Sequence, residues 1–441
     1  MDQTRKRVYL CLAHMSDEGI EQKYIKEAFD TNWVVPLGPN VNGFEKDLEQ
    51  FVNAREGSET LNKRVVALSA GTAAVHLALL NCGVGPGDEV CVQSFTFCAS
   101  SHPITYLGAT PVFIGSEPAT WNMDPELLEK AIIDRKAKTG KYPKAIVPVA
   151  LYGMPYDCSR IMSIADKYGI PVVEDAAEGF GSRYKGQVLG TFGKYGVLSF
   201  NGNKMITTSG GGAMITANDD EWREIMMYAT QYRESYPYYQ HEKIGYNYRM
   251  SNICAGIGRG QMTVANDHIA HHKHVQALYE ELLNDVPGVH VHCQPTTGEY
   301  DSNYWLCTFT LDPSVRVVGQ ENAYKSVVTG AVGGAAGVIH VADSATTDCQ
   351  PNANVEAMRV FMDKAQVECR PVWKPMHKQP VYCNGSHQVA PGIIEGPHMS
   401  AYTNEVETEL FKVGMCIPAG PYVTDDDVRY IVACIKEAIL A

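Results

Sequence analysis

Between Arg64 and Asp175 the chain alternates short apolar runs with longer stretches whose apolar residues recur every three or four positions. RVVALS, DEVCVQS, PVFIG, KAIVPVAL and PVVED read as strands. The segments up to Leu80, near 97–107, DPELLEKAIIDRKAK and SRIMSIADKYG read as helices. Apolar strands separated by helices predict an α/β fold, with a mostly parallel sheet flanked by helices and right-handed crossovers. Upstream, EGIEQKYIKEAFD carries Ile20, Tyr24, Ile25 and Phe29 at helical spacing, TNWVVPLGPN breaks it, and GFEKDLEQFVNA predicts a second helix. After residue 275 come a long helix, the strand-like YWLCTFTLD, a Gly/Ala-rich stretch and a final amphipathic helix, TDDDVRYIVACIKEAILA. At 441 residues the chain exceeds the usual single-domain size. A large domain over 1–275, including the N-terminal helical segment, and a small α+β domain over 276–441 with an insertion near 315–355 are expected.

Composition narrows the classes of function. A net charge of −13 argues against a general nucleic-acid binder, which needs clustered Lys and Arg. No apolar run approaches membrane-spanning length, and the start MDQTRKRVYLCLAH lacks the apolar core of a signal peptide, so a cytoplasmic enzyme is expected. Thirteen cysteines without a CxxC pair read as reduced core residues.

The chemistry centres on YGVLSFNGNKMITTSGGGAM, residues 195–214. A strand-like run leads into Lys204, and Gly210, Gly211 and Gly212 permit backbone angles that other residues disfavour, placing Lys204 on a constrained loop. An amine held this way forms a Schiff base with an aldehyde cofactor when its neighbours favour the neutral form; in isolation it also reads as a solvated surface lysine. Asp175 closes the run PVVED and should project from a strand's carboxyl end, where open α/β sheets place ligands. That carboxylate can keep a pyridinium nitrogen protonated. In SAGTAAVHLALL, Gly71 and Thr72 open a helix whose free amides and hydroxyl suit a phosphate. No GxGxxG follows the first strand, which counts against a dinucleotide enzyme.

In the order phosphate turn, Asp, Ser, Lys, the chain resembles the DegT/DnrJ/EryC1/StrS family of pyridoxal-phosphate-dependent nucleotide-sugar aminotransferases, of the aspartate aminotransferase fold. The resemblance runs through GPNVNGFEKDLEQF, SAGTAAVHLAL, SFTFCAS, EDAAEGFGS, SFNGNKMITTSGGG, GYNYRMSN and RPVWKPMH, with residues 310–360 the poorly matched part. NGNKMITTSGGG with RPVWKPMH looks closest to the bacillosamine-pathway 4-aminotransferase, which acts on UDP-4-keto-6-deoxy-GlcNAc. The resemblance implies pyridoxal 5'-phosphate on Lys204, L-glutamate as donor, and a homodimer in which Asn247 crosses to the partner's phosphate. Arg249 accompanies Asn247 in GYNYRMSN. It also implies Phe97 against the cofactor ring, although a core phenylalanine fits that position equally. Ser199 would donate to the phosphate or simply cap a strand end. Glu178 stands where many members carry glutamine; a second acid so close to Asp175 raises one of the pair or demands a cation.

For the sugar, Val35 and Pro36 lie in a turn that the resemblance brings to the sugar site or that merely links domains. Arg370 would pair with a phosphate, Trp373 or Tyr304 stack on the base, and His377 reach a hydroxyl. A same-fold 3-keto sugar aminotransferase or a sugar dehydratase is the alternative, although the dehydratases use histidine where Lys204 stands. In HIAHHKH, His268 and His272 stand four apart on a helix, a metal-ligand spacing. With no acidic or cysteine partner nearby, a solvated helix face and no metal are expected.

Overall fold

The computed structural model describes residues 5–55, 60–324 and 349–440. Helices α1 (Ile20–Asp30) and α2 (Pro39–Asn53) precede β1 (Arg64–Leu68), α3 (Gly71–Asn81), β2 (Glu89–Gln93) and β3 (Thr110–Ile114). Then follow α4 (Pro125–Thr139), β4 (Ala145–Val147), α5 (Cys158–Tyr168), β5 (Val173–Asp175), β6 (Tyr195–Ser199) and β7 (Gly212–Thr216). The strand and helix periods of the sequence thus map onto the expected elements. The stretch near 97–107 is the exception, closing into a 3-10 turn at Cys98–Ser100 and a short helix at His102–Tyr106.

Hydrogen-bonded ladders order β1–β7–β6–β5 and β4–β2–β3, and parallel bridges Ile146 to Val172 and Val149 to Asp175 join the two runs. Among these strands β7 alone runs against its neighbours, so the sheet is mostly parallel. Val65, Val66, Ala67 and Leu68 are all buried because helices cover both faces. The α3 helix is itself enclosed, with Ala73 to Leu79 buried.

Beyond α6 (Asp219–Ala229), α7 (Asn252–Met262) and the long α8 (Ala265–Leu283), a second sheet begins with β8 (Val289–Val291) and β9 (Cys307–Leu311). After α9 (Ala353–Lys364) it gains β10 (Arg370–Pro371). Three further strands, β11 (His387–Ala390), β12 (Ile393–Glu395) and β13 (Ser400–Tyr402), leave it again. They form a meander whose last member pairs in parallel with β3. The chain returns through α10 (Val406–Val413) to β14 (Gly414–Ile417), completing the antiparallel order β8–β9–β14–β10, and ends in α11 (Asp425–Ala438).

The two cores are therefore interleaved in sequence rather than divided at residue 275. Met399 and Ala401 pack into the first core, while Val8 packs into the second. The expected insertion lies largely outside the described residues. Its described ends meet: Asn354 donates from one amide to the carbonyls of Asp312 and Val315, each at 3.0 Å. Among the described residues no helix is long and apolar enough to cross a membrane. All thirteen cysteines are free thiols, seven of them buried.

Candidate active site

Asp175 ends β5 at the carboxyl edge of the sheet and is buried. Its Oδ2 accepts from Ser100 Oγ at 2.6 Å and its Oδ1 from the Ala177 amide at 3.1 Å. Burial raises the carboxyl above its ordinary range, opposed by those two bonds and by the charge of Lys204. Glu178, one turn further, accepts from the Tyr152 amide at 2.7 Å through Oε2 and faces Lys204 Nζ at 3.4 Å through Oε1. Burial raises it too, with Lys204 opposing and Asp175 adding. The cation that a second acid demands is Lys204 itself.

The Lys204 loop is closed by Phe200 donating to the Gly211 carbonyl and Thr208 donating to the Phe200 carbonyl, both at 2.9 Å. The Lys204 amide donates to the Asn201 carbonyl at 3.0 Å, and its side chain is only 11% exposed. Beneath the amine lies the Trp305 ring, 4.1 Å from Nζ to the centroid. The glycines serve differently from expectation. The residue with a left-handed backbone is Ser209, at φ 72°, and none of Gly210, Gly211 and Gly212 adopts one. Gly212 is required by close approach: a Cβ there would overlap the Gly71 amide nitrogen and the Ala70 carbonyl carbon.

That crossing sets the other end of the site. The N-terminus of α3 is preceded by Ala70, which has no side-chain cap, so no capping oxygen occupies its first-turn amides. Ser199 ends β6 beside it, and a Cβ on Gly71 would lie 3.1 Å from Ser199 Cβ and 3.4 Å from its hydroxyl. An uncapped helix start, a glycine that keeps it open and an adjacent hydroxyl fit a phosphate. With Asp175 and Lys204 on the same sheet edge, the donor set fits pyridoxal phosphate.

Phe97 precedes the turn that carries Ser100 and leaves its ring 53% exposed. The ring meets Trp373 edge-to-face, centroids 4.8 Å apart, and Trp373 in turn lies 6.0 Å from Tyr152. Tyr152 Oη accepts from the Trp373 amide at 2.8 Å. Phe97, Trp373 and Tyr152 thus form an aromatic wall beside the carboxylates.

Other expected residues are placed differently. His377 is fully enclosed: its Nδ1 bonds Ser94 Oγ at 2.7 Å and burial drives its pKa down to about 3, so it reaches no sugar hydroxyl. The 3-10 turn Met376–Lys378 docks on the end of β2 through the Met376 amide and the Ser94 carbonyl, which carries the imidazole inward. Tyr304 uses its hydroxyl to accept from the Gln294 amide at 3.2 Å; its neighbour Trp305 is the ring that meets Lys204. Arg370 is half-exposed and paired with Glu368 at 2.6 Å. Arg249 binds Glu45 and the Ala67 carbonyl. Asn247 is exposed, its backbone bridged to Thr230. Pro36 is exposed in a turn tied to α7, where the Asn252 amide donates to the Val35 carbonyl at 2.9 Å. His268 and His272 are buried rather than solvated, their Nδ1 atoms bonded to the carbonyls of Met205 and Tyr304. Among the described residues no three His, Cys, Asp or Glu side chains gather around a metal position. The sequence had not singled out Ser100, Tyr152, Asn303 or Trp305, which are generic polar and aromatic types without a spacing signature.

The model of the DegT/DnrJ/EryC1/StrS aminotransferase family matches residues 16–327. EpsN of Bacillus subtilis, which carries the name of a pyridoxal phosphate-dependent aminotransferase, is 39% identical over 96% of this chain and 93% of its own. The GDP-perosamine synthase of Escherichia coli O157:H7 is 30% identical over 97% of this chain and 98% of its own. A crystal structure of a DegT DnrJ EryC1 StrS aminotransferase from Brucella abortus superposes with a TM-score of 0.76 at 25% identity, covering 95% of each chain.

Proposed function

The chain belongs to the DegT/DnrJ/EryC1/StrS aminotransferase family, a pyridoxal-phosphate-dependent group of sugar aminotransferases, and from that premise we propose its reaction: transfer of an amino group from L-glutamate to the C4 keto group of a nucleotide-linked 4-keto-6-deoxy sugar. UDP-4-keto-6-deoxy-GlcNAc is the proposed substrate, and amino sugars for surface glycans the destination. The observation that carries the reading is the buried set of Lys204 against Glu178 with Asp175 beside it. Two buried carboxylates, one of them 3.4 Å from a nearly buried amine, are the arrangement that supports proton transfer.

Gly71, Thr72 and Ser199 would hold the cofactor phosphate, Asp175 its ring nitrogen and Lys204 its carbonyl carbon. Bound there, pyridoxal phosphate supplies a ring that draws negative charge from the reacting carbon. Asp175, fixed by Ser100, holds a proton on the ring nitrogen. Lys204 Nζ takes the proton from the donor's α-carbon and delivers it to the next reacting carbon, and Glu178 supports the ammonium that forms. Phe97 and Trp373 exclude water from one face. Asn247 acts across a homodimer. Lys204 itself disfavours the dehydratase reading.

Purified protein is to be assayed with glutamate and with UDP-, dTDP- and GDP-linked 4-keto-6-deoxy sugars, each with and without the 2-acetamido group. The likeness to a GDP-perosamine synthase brings GDP into the set. A preference for the acetamido UDP sugar, with the new amine at C4 by NMR, is the expected result. Preference for another sugar, or an amine at C3, overturns the substrate while leaving the transaminase in place.

A further inference from the structure

Residues 302–305, Ser-Asn-Tyr-Trp, enter the second sheet yet grip the first domain's catalytic pair. Asn303 donates from its amide nitrogen to the Glu178 carbonyl at 2.8 Å and the Phe180 carbonyl at 2.9 Å. Its Oδ1 accepts from the Trp305 amide at 2.8 Å, and its own amide donates to Ser182 Oγ at 2.9 Å. Tyr304, between them, is held at φ 47°, a left-handed conformation that a tyrosine adopts only under constraint. The kink aims Trp305 back at the lysine loop. The indole Nε1 donates to the Asn203 carbonyl at 2.7 Å, the peptide immediately before Lys204, and the ring face lies 4.1 Å from Lys204 Nζ. Trp305 is 2% exposed, so this face is shielded from water, where a cation and a π system attract most strongly.

We infer that Trp305 is a positioning residue for Lys204, locking the lysine loop through its N–H and supporting the ammonium form of the amine with its ring face, together with Glu178. The inference rests on the transaminase reading in that the ammonium forms each time Lys204 takes a proton. A face that favours the ammonium more than the neutral amine lowers the barrier of that step without touching the sugar. Five contacts with the first domain converge on this one short segment: the carbonyls of Glu178, Phe180 and Asn203, the Ser182 hydroxyl and the Lys204 amine.

The decisive variant is a multiply fluorinated tryptophan installed at position 305 alone in the full-length protein, which keeps shape and N–H while weakening the ring face. The expected result is a fall of about 3- to 10-fold in kcat, with KM for the nucleotide sugar within about twofold and an unchanged Tm. The kinetic isotope effect with α-deuterated L-glutamate should rise, because proton transfer becomes slower relative to other steps. A second readout needs no turnover: with the protein loaded with pyridoxamine phosphate, which leaves the Lys204 amine free, modification of Lys204 by trinitrobenzenesulfonate at fixed pH, mapped by peptide mass spectrometry, should be faster than in the wild type. Trp305→Phe, which loses the N–H, should lower kcat with a smaller change in labelling. Wild-type kcat, isotope effect and labelling in the fluorinated variant overturn the inference, even where Trp305→Leu unfolds the protein, since tryptophan would then matter only for packing. If the wild type itself shows no turnover with any keto sugar, the proposed function has failed and the labelling comparison still decides the role of Trp305.

Discussion

Lys204 Nζ and Glu178 Oε1 stand 3.4 Å apart, both nearly closed off from solvent, with the second oxygen of Glu178 taken up by the Tyr152 amide. The carboxylate is thus fixed by backbone and has one oxygen free for the amine. Because Asp175 is also buried beside it, removing the charge of Glu178 leaves the ammonium of Lys204 with a more distant partner. Its removal must be felt at the step in which that ammonium forms.

Glu178→Gln keeps the shape and the bond from Tyr152 but not the charge. A fall in kcat of about tenfold is expected, equivalent to about 1.4 kcal/mol. The pH profile gives a sharper check. Burial raises the Glu178 carboxyl above its ordinary 4.5, so the ionised form that supports Lys204 is lost as pH falls through that raised value. The acid limb of kcat/KM should therefore move to lower pH in the glutamine variant. An unmoved limb and unchanged kcat would show that the ion pair takes no part in turnover.

Gly212→Ala tests the crossing of β7 over the start of α3. The added methyl meets the Gly71 amide and the Ala70 carbonyl, backbone on backbone, so no side chain can swing aside. Destabilisation of about 1–3 kcal/mol is expected by analogy with overpacked cores, together with weaker retention of pyridoxal phosphate on gel filtration. A variant with wild-type Tm and cofactor retention would refute the claim that this glycine shapes the phosphate cradle.

The alternation that built the first sheet was legible because β1 to β6 are short apolar runs whose flanking helices carry their own period, and both signals are local. The positions of Lys204, Asp175 and Ser199 at the sheet edge were legible for the same reason, since each closes or follows a strand. Trp305 was not, because its meaning comes from a backbone kink at Tyr304 that aims it across the domain interface, and the more polar Tyr304 drew the expectation instead. His377 reads as a donor in sequence, yet its turn packs onto the end of β2. Burial of a polar side chain is a tertiary fact with no period. The meander at β11–β13 escaped notice because β13 finds its partner, β3, far away in sequence.

Asn247 follows a segment in which Tyr236, Tyr238, Tyr239 and Ile244 are strongly exposed. Lys204→Ala should bind cofactor yet lose turnover by about 10³-fold or more, and Asn247→Ala should lose most of it. Mixing the two inactive proteins should restore part of the activity, because one site of a mixed dimer keeps both residues. Absence of recovery in dimers shown by mass spectrometry to be mixed would place Asn247 in its own subunit's site or outside any site.

His377 offers a prediction about stability instead of turnover. Its pKa falls from 6.5 unfolded to about 3 folded, chiefly through burial, with the charge of Lys378 adding. The folded chain therefore excludes a proton that the unfolded chain takes up below pH 6.5, so stability is complete above that value and declines as pH falls towards 3. Glu407, whose carboxylate faces His377 at 3.7 Å, does not rescue the cation, because it is itself raised by burial and already accepts from Thr403 and the Ser116 amide. The buried carboxyls raised above their ordinary values act in the opposite sense, and His272 and His292, each also depressed to about 3, act in the same sense. Only a difference between variants isolates one histidine. His377→Gln retains an acceptor for Ser94 but takes up no proton. Between pH 7 and pH 5 the wild type should lose about 2 kcal/mol more than this variant, at 1.36 kcal/mol for each unit below 6.5. Urea unfolding at the two pH values checks it. Parallel losses in both proteins would mean that His377 is protonated in the folded state and that its cage admits charge.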